Sequence, residues 1–268
     1  MMADYHTHTC RCGHARGQAR EYLEQARQKG LREIGFSDHI PMYWLPPEQR
    51  NPGLAMAEAD FPGYLAEVLE LAAESPCPEV RLGVEVDYIP GYEAEAARML
   101  AGHPFDYVIG SVHFIGRWAF DSPHELEEYG RRDIDEVYRQ YFDLISRAAQ
   151  SGLFDIIAHP DLVKKFGYRS RTDPAVFYRQ AARAMAAGGV CVEVNTAGLR
   201  WPAGEIYPGL EFLKICREEG VPAVTGSDAH DPEMVGRNFH LARDLLLEAG
   251  YTEVARFKRR DRRMEGIV

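Results

Sequence analysis

The chain has 268 residues, 46% hydrophobic and 27% charged, with a formal net charge of −10 at pH 7 and a pI near 5.5. It is long enough for one large core, ordinary in composition, and too acidic for a broad nucleic-acid surface, which is normally basic. A local site for an anionic ligand stays open. The five cysteines are odd in number and scattered along the chain, which implies free thiols in a reducing compartment rather than a disulfide framework. The N-terminal MMADYHTH lacks a charged region followed by an apolar one, and no apolar run approaches the roughly 18 residues of a membrane span. A soluble cytoplasmic protein is expected.

In chain order, short β-branched or apolar runs alternate with amphipathic ones. The strand candidates are ADYHTH (3–8), LREIGFSDH (31–39), VRLGVEVDYI (80–89), FDYVIGSVHF (105–114), LFDIIAHP (153–160), VCVEVNT (190–196) and VPAVTGSDAH (221–230). Between them, Phe61, Leu65, Val68, Leu69 and Ala72 recur at helical spacing, as do Ile134, Val137, Tyr138, Tyr141, Ile145 and Ala148, and both stripes read as core. Glycines in ARQKGLREI, AAGGVCVEV, REEGVPAV and LLEAGYTEV sit where a left-handed C-cap would end a helix. Seven strand–helix repeats predict an α/β fold with a parallel sheet closed into a barrel, as one domain over residues 1–268. Two stretches interrupt the rhythm, PMYWLPPEQRNPGLAMAEAD and IGRWAFDSPHELEEYGRR, and read as loop insertions that wall a site. The basic tail VARFKRRDRRMEGIV reads as a solvated surface segment.

Ligand-type residues fall at the C-terminal ends of the predicted strands: His6 and His8, His39, Glu85, His113, His159, then Asp228 and His230. A parallel αβ-barrel gathers those ends on one face, where such enzymes place their active sites. With His14, seven of the ten histidines converge there; His103, His124 and His240 carry no assigned role. His6 with His8, and Asp228 with His230, are two apart, so in extended chain each pair points to one side. Imidazoles with carboxylates suit zinc, manganese or iron, and Glu85 can bridge two ions. A local zinc knuckle is a poor fit, because Cys10 and Cys12 are separated by one residue and no second ligand pair follows. Cys10 and Cys12 are expected to line the first loop, with a thiolate contribution to a metal left open.

The ordered set DYHTH, CGH, FSDH, GVEVDY, GSVHF, IIAHPDL, EVNTAGLR and GSDAH resembles, along nearly the full chain, the motifs of the polymerase and histidinol phosphatase (PHP) superfamily. Within it the likeness is greatest to the monofunctional histidinol-phosphate phosphatases. The resemblance implies a distorted (β/α)7 TIM-like barrel with three divalent metal ions (Zn, Mn or Fe) and hydrolysis of phosphate esters. Carried over by residue, it implies a first metal on His6, His8, Glu85 and Asp228, a second sharing Glu85 with His113 and His159, and a third on His14, His39 and His230. Asp4 and Asp38, beside ligands, are expected to orient imidazoles.

The expected reaction is hydrolysis of L-histidinol phosphate by a metal-bridging hydroxide, with Asp228, Glu85 and His230 as catalytic groups and Asp228 or a metal-bound water protonating the leaving alkoxide. Arg200, which the resemblance favours, and Lys164 and Lys165 are the candidate phosphate-binding cations. Asp161, Trp118 and Tyr43 are candidates for the rest of the substrate. The competing readings are a phosphatase for another small ester such as a nucleotide or phosphotyrosine, a polymerase-type 3′→5′ exonuclease or structural module, and an amidohydrolase barrel. The acidic charge and missing polymerase region weigh against the second, and the lack of a bridging lysine against the third. The expected partner is a small phosphoester, with no nucleic acid and no membrane; the sequence carries no signal for oligomeric state.

Overall fold

The computed structural model describes residues 2–267. Its strands are β1 (Ala3–Asp4), β2 (Glu33–Phe36), β3 (Glu79–Leu82), β4 (Glu85–Asp87), β5 (Ile109–Ser111), β6 (Phe114–Ile115), β7 (Trp118–Ala119), β8 (Ile156–Ile157), β9 (Cys191–Asn195), β10 (Ala223–Gly226), β11 (Glu253–Lys258) and β12 (Asp261–Gly266). The helices are α1 (Ala19–Gln28), α2 (Phe61–Glu74), α3 (Glu93–Leu100), α4 (Ile134–Gln150), α5 (Ala175–Gly188), α6 (Leu210–Glu218) and α7 (Phe239–Glu248). All seven expected strand positions are occupied by strand, with β3 and β4 sharing the third and separated only by Gly83 and Val84.

Strand pairing gives two parallel sheets rather than one continuous ring: β1-β2-β3, and β10-β9-β8-β5-β4. They meet along two seams. His39 bridges in parallel to Glu85 and Thr7 to Ala229, and the Tyr5 amide donates to the Thr225 carbonyl at 3.1 Å. The C-terminal ends of both sheets therefore face one region.

Local chemistry explains the elements. In α4, the Asp133 carboxylate caps the Asp135 amide, Asp135 and Glu136 lie in the first turn and Arg147 in the last, each complementing the helix dipole. Its expected stripe is buried throughout. The four glycines read as helix stops have φ of 69° to 91°, which non-glycine residues rarely adopt. In α2 the stripe needs correcting: Leu69 is exposed, and Phe61, Tyr64, Leu65, Val68 and Leu71 form the buried face. At 100° per residue, position 69 swings away from the face that 61, 65 and 68 share.

Inside the sheets, Ala3, Tyr5, Tyr107, Ile109, Ile156, Ala158, Cys191 and Val224 form a core layer with Ala255 and Phe257. The last two come from the basic tail, whose first strand is buried at 254–257 while its second strand stays largely exposed, so only part of it is solvated. It folds into the antiparallel hairpin β11–β12, and the Phe257 amide donates to Tyr5 Oη at 3.1 Å. The tail's polar residues find partners beneath the sheets: Arg256 with Glu265 at 3.0 Å, and Arg260 with Asp155 at 2.8 Å. Charge along the tail therefore reflects ion pairing at the strands' N-terminal ends, opposite the ligand-type residues.

Both insertions pack as walls. Trp44 of the first meets Phe114 at a ring separation of 5.7 Å, and Phe120 of the second packs on Tyr141 at 5.3 Å. Because Phe257 fills the layer between the hairpin and the sheets, Phe257→Ala is expected to lower unfolding stability by about 3–5 kcal/mol. Urea denaturation measures this, and a loss below about 1 kcal/mol would show the hairpin to be peripheral.

Candidate metal centre

The strand ends deliver one tight cluster. Oε2 of Glu85 lies 3.0 Å from His6 Nε2, 3.2 Å from His8 Nε2 and 3.3 Å from His39 Nε2. Its other oxygen lies 3.4 Å from His159 Nε2 and 3.7 Å from His113 Nε2. Asp228 Oδ1 is 3.4 Å from His8 Nε2, 3.4 Å from His230 Nδ1 and 3.7 Å from His6 Nε2. His14 closes the rim, its Nε2 3.0 Å from that of His230. His6, His8, Glu85 and His159 are buried, His39, His113, Asp228 and His230 half-buried, and His14 exposed.

What stands behind each ring decides its chemistry. His6 Nδ1 donates to Glu193 Oε1 at 2.7 Å, and His113 Nδ1 to Asp87 Oδ1 at 2.8 Å. His14 Nδ1 donates to the Cys12 carbonyl at 2.9 Å, and His230 Nδ1 to the Asp228 carbonyl at 3.0 Å. His8 Nδ1 meets the Cys12 sulfur at 3.3 Å. In the first four rings the partner is an oxygen that only accepts, so Nδ1 carries a proton and, in the neutral ring, Nε2 turns a lone pair into the cluster. His8 Nε2 and Glu85 Oε1 are buried without a hydrogen bond. Lone pairs face lone pairs at 3.0 Å between His14 and His230, and carboxylate oxygens at 3.0–3.7 Å elsewhere. Such an array is repulsive unless cations lie within it, and imidazole with carboxylate is the donor set of divalent transition metals.

The ionisation equilibria agree. Burial opposes the Glu85 carboxylate, but His39 and His6 hold its pKa well below the ordinary range. Burial also opposes ionised Asp228, and His6, His8 and His230 outweigh it. Burial disfavours a charged His8 and a charged His113; Asp228 and Glu85 raise the first to about 9, and Asp87 and Asp121 raise the second to about 10. His230 is pulled down to about 3 by burial and the neighbouring His8. At neutral pH Asp228 is thus a carboxylate and His230 a neutral lone-pair donor.

Backbone geometry serves the same end. His159 and Asp228 have φ of 26° and 53°, strained for non-glycine residues and typical of functional positions. Gly226 makes room for the second layer. A Cβ there would overlap Glu193 Oε1 and sit 2.7 Å from the His6 Cβ.

Eight of the nine candidate ligands, with Asp87, form overlapping groups whose donor atoms lie within 4.8 Å: His6, His8 and Glu85; Glu85, His113 and His159; His8, Asp228 and His230; His6, His159 and Asp228; and His39, Asp87 and His113; His14, the ninth, joins through His230 alone. Three expectations need correction. Asp4 touches no imidazole nitrogen; its oxygens bind Ser227 Oγ at 2.5 Å, the Ser227 amide at 2.9 Å and the Gly236 amide at 2.8 Å, clipping β1 to the segment after β10. Asp38 accepts from the Thr9 amide at 2.8 Å and from Cys12 Sγ at 3.0 Å, one atom removed from His8. Lys164 is buried against Asp161 at 2.6 Å, Glu205 at 3.3 Å and the Ile206 carbonyl at 3.3 Å, so its three donors are taken and none is left for a phosphate.

Lys165 pairs with Asp121 at 3.1 Å and lies over the Trp201 ring at 4.4 Å. Arg200 is exposed and donates to the carbonyls of Ser227 (3.3 Å) and Asp228 (3.0 Å), which holds the guanidinium at the cluster's edge. Asp161 is occupied by Lys164, and Trp118 is buried beneath Arg132, so neither is free for a ligand. Tyr43 donates to the Asp87 carbonyl at 2.6 Å. Sequence reasoning missed Glu193, Asp87 and Cys12 as the groups holding imidazoles. Asp87, two residues from Glu85 on one strand, was the one with a readable signal.

Residues 4–197 match the PHP domain, and residues 212–244 match the PHP-associated segment. The chain belongs to the PHP family. Among its relatives, the probable histidinol-phosphatase of Deinococcus radiodurans is 42% identical over 240 residues, 89% of this chain and 90% of that one. The histidinol-phosphatase of Bacillus subtilis is 32% identical, over 87% of this chain and 95% of its own. A crystal structure of histidinol phosphate phosphatase from Lactococcus lactis, complexed with zinc, L-histidinol and phosphate, superposes with a TM-score of 0.83 at 25% identity, covering 98% of each chain.

Gly226→Ala tests the support of the PHP centre. Glycine-to-alanine changes at tolerant sites stabilise by about 0.4–1 kcal/mol. Here the added carbon is expected to push Glu193 off His6, lowering both thermal stability and bound metal. A variant with unchanged metal content, measured by elemental analysis, would show that Glu193 does not need that space.

Proposed function

We propose that this chain is a metal-dependent histidinol-phosphatase, hydrolysing L-histidinol phosphate to L-histidinol and phosphate. The observation that carries this is the ring of bare Nε2 atoms around Glu85 and Asp228, in a chain whose PHP relatives carry that activity by name. We assign three divalent ions: one to His6, His8, Glu85 and Asp228, a second to Glu85, His113 and His159, and a third to His14, His39 and His230. His39 is the least tied to its group, since its ring centre is 5.6 Å from those of both His14 and His113. The same reading takes the two sheets as one distorted seven-stranded barrel joined at the Thr7–Ala229 and His39–Glu85 seams, residues 1–268 as one domain, and the five free thiols as a sign of the cytoplasm. Among the described residues no helix is long and apolar enough to cross a membrane.

Divalent ions in such a site supply Lewis acidity and lower the pKa of water toward about 7, which phosphomonoester hydrolysis requires given its very slow uncatalysed rate. The chain's own contribution is orientation. Glu193 and Asp87 fix the imidazoles of His6 and His113 with lone pairs inward. Arg200, tethered to the carbonyls of residues 227 and 228, keeps N–H groups for a phosphate oxygen. Lys165, neutralised by Asp121, contributes to the wall that the second insertion builds beside His113 and His159.

Phosphate release from histidinol phosphate, compared with a panel of nucleotides and phosphotyrosine, tests the assignment. A clear preference for histidinol phosphate is expected, and equal slow rates across the panel would remove it. Metal analysis is expected to give about three ions per chain; a chelator should abolish activity and re-addition restore it. His113→Ala is expected to lose at least about 100-fold in kcat. Arg200→Ala should lower kcat/KM about 10- to 100-fold, as for loss of a hydrogen bond to a charged group. Because His8 and His113 hold protons up to about pH 9 and 10 in the metal-free cluster, protons compete with metal, and metal affinity should rise with pH up to about 9. An affinity flat from pH 6 to 9, measured by competition with a chromophoric chelator, would contradict that linkage.

A further inference from the structure

Cys12 differs from Glu193 and Asp87 in touching three of the candidate ligands at once. Its thiol lies 3.3 Å from His8 Nδ1 and receives the His39 backbone amide at 3.2 Å. Its carbonyl accepts from His14 Nδ1 at 2.9 Å. The thiol also donates to Asp38 Oδ1 at 3.0 Å, and that carboxylate oxygen holds the amide and hydroxyl of Thr9 at 2.8 and 3.0 Å. Cys12 is fully buried, and so is the His8 ring, whose Nε2 has no hydrogen bond and faces Glu85 and Asp228.

The bonding pattern has a direction. The ionised carboxylate only accepts, so the S–H proton must point at Asp38. The sulfur lone pairs are then left for two N–H groups, those of His8 and His39. A ring that gives its Nδ1 proton to sulfur turns a bare Nε2 forward. Cys12 lies behind His8, on the Nδ1 side, which removes the thiolate-ligand possibility raised from the sequence.

We infer that Cys12 is a positioning residue of the metal centre: its thiol carries the hold of Asp38 to the His8 imidazole and pins the His39 backbone, while its carbonyl orients His14. This rests on the metal-dependent reading above and adds a residue that contacts neither ion nor substrate. Partners that orient ligating imidazoles typically contribute 10- to 100-fold in metal affinity.

The test is titration of the metal-free full chain with Zn2+ against a chromophoric chelator, for wild type, Cys12→Val and Cys12→Ser, with far-UV circular dichroism confirming the fold. Valine keeps the buried volume and removes the hydrogen bonds; serine keeps a donor and an acceptor. Affinity lowered roughly 10- to 100-fold in Cys12→Val, with Cys12→Ser within about tenfold of wild type, is the expected result. Cys12→Val binding like wild type, or Cys12→Ser weakened as much as Cys12→Val, would overturn the inference, because packing alone would then explain the residue. If Cys12→Val does not fold, Cys12→Ser decides: retention within about tenfold supports the relay and a greater loss overturns it. A wild-type chain that takes up no zinc would overturn the functional reading, and this inference with it.

Discussion

Electron-rich atoms crowded around one carboxylate set the terms for the rest of the molecule. Glu85 receives imidazole nitrogens at 3.0, 3.2 and 3.3 Å on one oxygen and 3.4 and 3.7 Å on the other. With the back nitrogen of most of these rings committed to an acceptor, the inward nitrogens cannot donate to Glu85 without taking up an extra proton. Left to itself the cluster therefore binds protons, which is why His8 and His113 titrate near 9 and 10. Divalent ions compete for the same lone pairs with more charge, and the bare Nε2 atoms are already presented in the form they need. Metal binding and proton release are thus one equilibrium.

Holding such a cluster together before any cation arrives demands stiffness from the scaffold. Parallel strands fix their ends by backbone hydrogen bonds, and the buried layer of Tyr5, Tyr107, Ile109, Ile156 and Phe257 backs them from the opposite side. Asp4 ties β1 to the turn that carries Asp228, through Ser227 and Gly236. The left-handed conformations of His159 and Asp228 cost about 1–3 kcal/mol each, and they persist because neighbours over-determine them: the His159 amide is bound by Glu193 at 2.8 Å, and the carbonyl of Asp228 by Arg200 and His230. Glu193 appears twice in this scheme, holding a ring of one ligand and the backbone of another.

The ligands were legible because ligating chemistry and strand-end position coincide at His6, His8, His39, Glu85, His113, His159 and Asp228, and chance rarely places so many at one end of successive strands. Their supporting layer was not. Glu193 lies inside a strand whose every residue is buried, and nothing local separates an inward carboxylate in CVEVN from a satisfied core polar group. Cys12 was left open as a thiolate ligand because sequence spacing does not show on which side of His8 the sulfur lies. Lys164 and Lys165 are adjacent cations in one loop, yet one is enclosed by Asp161 and Glu205 and the other reaches Asp121. Only the tertiary fold assigns those acids to them. The tail was only partly legible for a related reason: Arg256 meets Glu265 once the hairpin forms, and Arg260 meets Asp155 only after that hairpin has folded under the sheets.

The distribution of charge around the centre divides labour between the parallel sheets and their loops. Strand ends provide imidazoles and ionised carboxylates whose inward atoms are taken up by one another, by protons or by cations. Positive side chains come from the connections instead, and each is restrained by its anchor. Arg200 is tethered to two carbonyls, which leave its full charge in place. Lys165 is tethered to a carboxylate, which cancels it. A guanidinium that keeps its charge beside Asp228 suits phosphate, since its planar fork can pair two N–H groups with two oxygens. A lysine neutralised by Asp121 and covered by Trp201 suits recognition of something other than the phosphate. Lys165, from the connection after β8, and Trp201, from the connection after β9, meet beside the insertion that carries Asp121, so this wall can change in sequence without altering any of the strand-end imidazoles.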